Sequence, residues 1–100
     1  MTKATILGFE RYKSFSDIEQ MARAMEENAE FPYVDVIPLG NGVYELSRWL
    51  NGRTKCLEGG HHRSVAHYIM QKPMRVRVVN KPSVIDEQTI NIEDIVIVGD

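Results

Sequence analysis

The chain has 100 residues, 26% of them charged and 43% hydrophobic, which suits one soluble domain, 1–100, with a single core. Its net charge of −2 excludes a global basic field, so any nucleic-acid contact needs a local patch. The one cysteine excludes an internal disulfide, and no run approaches the roughly 20 apolar residues that span a bilayer.

Residues 1–8 lack the long apolar region of a signal peptide, so a cytoplasmic location without a membrane partner is expected. Residues 4–9, Ala-Thr-Ile-Leu-Gly-Phe, predict a short strand. Glu10 to Lys13 is charged and leads out of it. Ser16 and Glu19 form a capping box, which starts a helix running toward Glu30. Ile18, Met21, Ala22, Met25 and Ala29 recur at helical spacing and make its apolar stripe. Glu19, Arg23, Glu26, Glu27 and Glu30 form the wet face, and Pro32 ends the helix.

Residues 33–39 predict a strand, Gly40-Asn41-Gly42 a tight turn, and residues 43–50 the next strand. Asn51-Gly52 is a hairpin signal, and residues 53–57 return as the third strand of an antiparallel meander. Trp49 is either packed on the sheet or an exposed stacking platform. Packing is preferred, because aromatics suit half-buried sheet surfaces. Cys56 has no activating neighbours and reads as a small buried hydrophobe.

A second helix is predicted over 61–71, with His62, Val65, Ala66, Ile69 and Met70 facing inward. Arg63 and His67, four apart, share a neighbouring face. Pro73 stops this helix. Residues 74–79 alternate as a half-buried strand, with Val76 and Val78 on one side and Arg75 and Arg77 on the other. Lys81-Pro82-Ser83 is a turn. Residues 83–94 read as irregular, with a short strand near 89–92, and 95–98 as a buried closing strand. The whole is α+β: a small mixed or antiparallel sheet with two main helices.

The chemistry concentrates in residues 57–68, which hold all three histidines. Gly59 and Gly60 stand where the second helix begins. A helix start presents unpaired N–H groups and the positive end of a dipole, and glycine lets an anion approach. Arg63 and two imidazoles in the first turn oppose the dipole unless an anion offsets them. A phosphate site therefore follows, with Gly59, Gly60, His61, His62, Arg63 and Ser64 around the anion. Metal ligation is disfavoured, since His61, His62 and His67 lie one, five and six residues apart rather than three or four. Glu58 is a candidate base or metal carboxylate beside the glycines, with a solvent-facing strand end as the plain alternative.

The order strand, Pro-Leu, turn, Val-Tyr-Glu-Leu, Gly-His-His-Arg-x-x-Ala, helix, Pro, strand resembles the ParB/sulfiredoxin superfamily. The resemblance covers roughly residues 14–80 and centres on Gly60-His61-His62-Arg63-Ser64-Val65-Ala66. It implies an α+β fold whose box binds nucleotide phosphates. Gly59 and Gly60 would meet phosphates through their backbone, and His62 and Arg63 would contact phosphate oxygens. Members include partition proteins that bind and hydrolyse CTP, ATP-using sulfiredoxins, free-serine kinases and proteins described as nucleases. His61 stands where sulfiredoxins carry their cysteine, so sulfinic acid reduction is not expected. No second arginine-rich motif, DNA-reading helix-turn-helix or dimerisation region like those of partition proteins is read in residues 1–100, so a centromere-binding role is not expected.

Two classes of function remain. The first is a nucleotide-dependent phosphotransferase or NTPase using ATP or CTP with Mg²⁺, in which Glu58, His61 and His62 are the candidate catalytic groups. The second is a nucleic-acid-binding, nuclease-type or regulatory module. Its local basic face would be Arg48, Arg53, Lys55, Arg75 and Arg77, with Trp49 for stacking.

Overall fold

The computed structural model describes residues 4–27, 29 and 31–99. Nine short strands, two helices and a single 3-10 turn alternate along the described residues. The strands are β1 (Thr5–Gly8), β2 (Tyr12–Ser14), β3 (Val34–Gly40), β4 (Val43–Leu46), β5 (Trp49–Leu50), β6 (Leu57–Glu58), β7 (Val76–Val78), β8 (Ile90–Asn91) and β9 (Val96–Val98). The helices are α1 (Phe15–Glu26) and α2 (His61–Met70), and the 3-10 turn is Ile92–Asp94. The fold is α+β, as the alternation of periods predicts.

A mixed five-stranded sheet has the order β7-β3-β4-β1-β8. β3 and β4 pair antiparallel across the Gly40-Asn41-Gly42 turn, with Val36 opposite Leu46 and Pro38 opposite Tyr44. β1 runs parallel to β4, and β7 runs parallel to β3. One face presents Val34, Val36 and Leu46 to Ile18 of α1 and Val65 of α2, with Ile92 and Ile95 closing the cluster. This burial of aliphatic side chains is the main favourable term in folding.

The other face is held by a buried carboxylate. Glu45 accepts from Ser83 Oγ at 2.6 Å and from the Val84 amide at 2.9 Å. This straps the 83–84 segment across the sheet and satisfies a charge that could not be buried unpaired.

Several local expectations change. Helix α1 starts one residue earlier than its predicted cap, with Ser14 at the N-cap, and ends at Glu26 rather than running to Glu30. Glu26 and Glu27 sit at the negative end of the helix dipole, which disfavours extension. Glu30 lies outside the described residues. The three-strand meander does not form. β4 stops at Leu46, and β5 pairs with β6 in a separate two-stranded ribbon, Trp49 opposite Glu58 and Leu50 opposite Leu57.

The hairpin forms with a six-residue loop over 51–56, between paired residues Leu50 and Leu57, instead of a two-residue Asn51-Gly52 turn. Asn51 Oδ1 accepts from the amides of Arg53 at 2.8 Å and Thr54 at 3.3 Å. That side-chain turn competes with a two-residue hairpin. Cys56 therefore lies exposed in a loop rather than buried in a strand. Trp49 is 48% exposed, so the preferred packing role gives way to an open ring.

At the far end, Val76 and Val78 are exposed on an edge strand. Val76 borders an open groove of about 870 Å³ between α2 and the sheet face carrying Ile6 and Tyr44. β9 does not close the main sheet. It pairs parallel with β2, leaving Val96 and Val98 exposed while Ile95 is buried.

Candidate functional site

Helix α2 begins at Gly60, whose φ of 83° and ψ of 30° are left-handed. An L side chain resists that conformation, and a Cβ there would sit 3.1 Å from Val34 Cγ1. Gly59 is buried with its backbone against the Phe9 ring. The turn is thus set by close packing on β1 and β3. It aims the first-turn amides of His61, His62 and Arg63, which have no intrahelical carbonyl to bond, out of the helix end. No acidic residue occupies that turn.

The three side chains after Gly60 diverge. His61 points inward and is only 2% exposed. Its Nε2 accepts the Phe9 amide at 2.9 Å, so the neutral ring carries its proton on Nδ1. Nδ1 lies 3.1 Å from Glu10 Oε1, out of line for a proper hydrogen bond. The Phe9 ring meets the imidazole edge-on, with centroids 4.4 Å apart. Burial pushes the His61 pKa down to about 4, against the opposing pull of Glu10.

The predicted inward stripe holds at Val65 and Ala66 and shifts elsewhere. His61, Ser64, Val65 and Ala66 are buried, while His62 is half-buried and Ile69 is exposed. His61, Ser64 and Val65 are spaced i, i+3 and i+4, so the helix is rotated from the predicted register.

His62 turns toward α1, its Nε2 3.6 Å from Asp17 Oδ2. Its pKa is lowered, first by burial and then by Lys13, while Asp17 and Glu10 pull it back up. Lys13 itself pairs with Glu10. Arg63 goes the other way. It donates from Nη1 to the Pro32 carbonyl and lies over the Phe31 ring at 5.1 Å. Burial lowers its pKa.

Two predicted members of the site are otherwise engaged. Ser64 Oγ donates to the Gly60 carbonyl at 2.8 Å. Glu58 Oε1 accepts from Asn51 Nδ2 at 3.1 Å. The structure therefore brings together Gly59, Gly60, His62 and the first-turn amides. It turns Ser64 into the helix backbone and sends His61 into the interior, as a buried link from α2 to the end of β1.

Sequence reasoning missed Phe9 and Glu10, and preferred a solvated surface for Lys13. The charged exit from β1 was the available signal, since Glu10 and Lys13 both act electrostatically on His61 and His62. It also missed His67 as a polar wall. His67 Nδ1 lies 3.2 Å from the Lys72 carbonyl, and its Nε2 is buried without a partner.

The five residues of the predicted basic face have unequal commitments. Arg77 makes a bidentate pair with Asp35 at 2.8 and 3.0 Å, which lowers the Asp35 pKa. Arg48 donates to the Val84 carbonyl at 3.1 Å and stacks over Phe9 at 4.4 Å. Arg75 lies 5.9 Å over the Tyr33 ring. Arg53 and Lys55 sit in the exposed 51–56 loop.

Among the described residues, no group of three or more His, Cys, Asp or Glu is arranged to hold a metal ion. None of the described helices is long and apolar enough to cross a membrane. No protein-family model, curated protein or solved structure matches the chain.

Proposed function

We propose that this domain binds the phosphates of a nucleoside triphosphate at the start of α2, as ParB/sulfiredoxin-like proteins do. The observation that carries this reading is the left-handed Gly60 opening a helix whose first-turn amides have no carboxylate to bind them. Arg63, the permanent cation of that turn, is unfavourable at the positive end of a helix on its own and becomes favourable around an anion. The first-turn amides would take the phosphate oxygens. His62 flanks them, while Arg63 would have to leave the Pro32 carbonyl and the Phe31 ring to reach them. His62, kept neutral near pH 7 by burial, can accept a proton or hydrogen bond from a bound group.

ATP and CTP are the candidate nucleotides. Mg²⁺ suits such a site because it is held mainly by phosphates and needs only one or two protein carboxylates. Glu58 is the carboxylate beside the turn and would have to leave Asn51 to serve. When bound, the ion would neutralise charge on the transferring phosphoryl group. The protein's own part is to position that group, and the reaction class is phosphoryl transfer or triphosphate hydrolysis.

Calorimetric titration with ATP, CTP and ADP, with and without Mg²⁺, tests the reading. At least one nucleotide should bind, and His62→Ala and Arg63→Ala should each weaken it roughly tenfold or more. Absence of heat and of any rise in melting temperature with all three would reject it.

A second reading rests on Trp49. Its exposed ring stands on the β5–β6 ribbon whose loop carries Arg53 and Lys55. An open aromatic beside basic residues suits stacking on single-stranded nucleic acid. This mode predicts DNA affinity that falls with salt and is lost in Trp49→Ala.

A further inference from the structure

We propose that the pocket walled by Phe31, Arg63, His67, Pro73 and Arg75 is a second anion site, built for a phosphate-sized oxyanion. It lies on the Arg63 side of α2, away from His62. Its volume is about 180 Å³. Whole small-molecule ligands occupy roughly 300–1,000 Å³, so this pocket takes one small group rather than a nucleotide. Three of its six lining residues are basic, and none of the described lining residues is acidic.

The hydrogen-bond accounting points the same way. Nε of Arg63 and Nε2 of His67 are both buried and both without partners. Buried polar atoms in folded proteins are nearly always satisfied, so two orphans on residues that line one pocket point to a missing partner. The rest of each side chain is already fixed. Arg63 is held by the Pro32 carbonyl and the Phe31 ring, leaving Nε–H to point elsewhere.

The Lys72 carbonyl can only accept, so His67 Nδ1 carries a proton. His67 Nε2 then becomes a second donor once the ring is protonated. Arg63 and Lys72 disfavour that protonation in the empty site, and burial opposes it most of all. An incoming anion would offset all three. Arg75, stacked over Tyr33, closes the rim with a charge that needs no rearrangement.

The test uses inorganic phosphate on the whole chain, at ionic strength held constant with chloride. The His67 ring and Arg63 Nε–H resonances are followed by NMR. Both should shift saturably, and the His67 pKa should rise when phosphate is present. Arg75→Gln and His67→Phe should each abolish saturation, while His62→Ala should keep it. Retained native amide dispersion shows that each variant is folded. Acetate should bind more weakly than phosphate. Equal binding of acetate overturns the oxyanion assignment. A phosphate response that is absent, or that survives Arg75→Gln and His67→Phe, overturns the site. These outcomes are separable from the turn, because a response at the amides of Gly60, His61 and His62 that His62→Ala diminishes reports on the turn, whereas a His67 response lost in Arg75→Gln reports on this pocket.

Discussion

The Phe9 amide donates to His61 Nε2 at 2.9 Å, across 52 residues of sequence. One hydrogen bond thus ties the end of β1 to the first residue of α2. It also fixes the tautomer of the imidazole and withdraws His61 from chemistry at the turn. The regular spacing of side chains along a helix could place either His61 or His62 inward, and this bond decides for His61.

Removing that link should be expensive. His61→Ala deletes a buried ring and leaves the Phe9 amide without its acceptor. A loss of about 3–5 kcal/mol in unfolding free energy is expected from urea denaturation. A loss below about 1 kcal/mol would mean that the ring is not part of the core.

The same histidine sets a pH dependence. Its folded pKa is about 4, against an ordinary 6.5, so the unfolded chain binds more protons between those values. Stability should therefore be at its plateau above the unfolded pKa and fall as pH drops from about 6.5 toward 4. A depression of this size corresponds to about 3 kcal/mol at full effect. His62 and His67 are shifted in the same direction and add to the slope. In His61→Phe the slope over this window should flatten. An unchanged slope would assign the effect to other groups.

Gly8 should tolerate no side chain. A Cβ there would lie 2.7 Å from His61 Cδ2 and Nε2, and the buried ring has nowhere to retreat. Gly8→Ala should cost about 1–3 kcal/mol by forcing the ring or β1 to shift. Thermal melts of Gly8→Ala and the Gly8→Ala/His61→Ala double variant check this. The second cost should be smaller than the sum of the singles if the clash is the cause.

Glu45 should hold the 83–84 strap. Glu45→Ala removes the acceptor for both Ser83 Oγ and the Val84 amide. A loss of about 1–3 kcal/mol is expected, with faster hydrogen exchange at Val84. Unchanged exchange there would show that the strap is held elsewhere.

The sequence was informative where one element decides its own state. The α+β pattern, both main helices, the 40–42 turn and the short strand near 90 follow from period, capping and turn chemistry. It was uninformative where distant segments compete. The 51–56 loop looks like a two-residue hairpin turn until the Asn51 side chain takes the amides of Arg53 and Thr54. The 95–98 run looks buried by hydropathy, yet its pairing with β2 leaves two valines exposed. At the site, Gly59 and Gly60 were legible because a helix start after paired glycines has a definite geometry. The division of His61, His62 and Arg63 among three directions was not. It depends on Phe9, Asp17 and Pro32, which reach the turn only through the fold.

The central claim is that the start of α2 binds phosphate, and amide NMR during nucleotide titration tests it most directly. With ATP or CTP and Mg²⁺, the largest shifts should fall on the amides of Gly60, His61, His62 and Arg63, and His62→Ala should diminish them. Shifts confined to Trp49 and the 51–56 loop, or none at all, would contradict it.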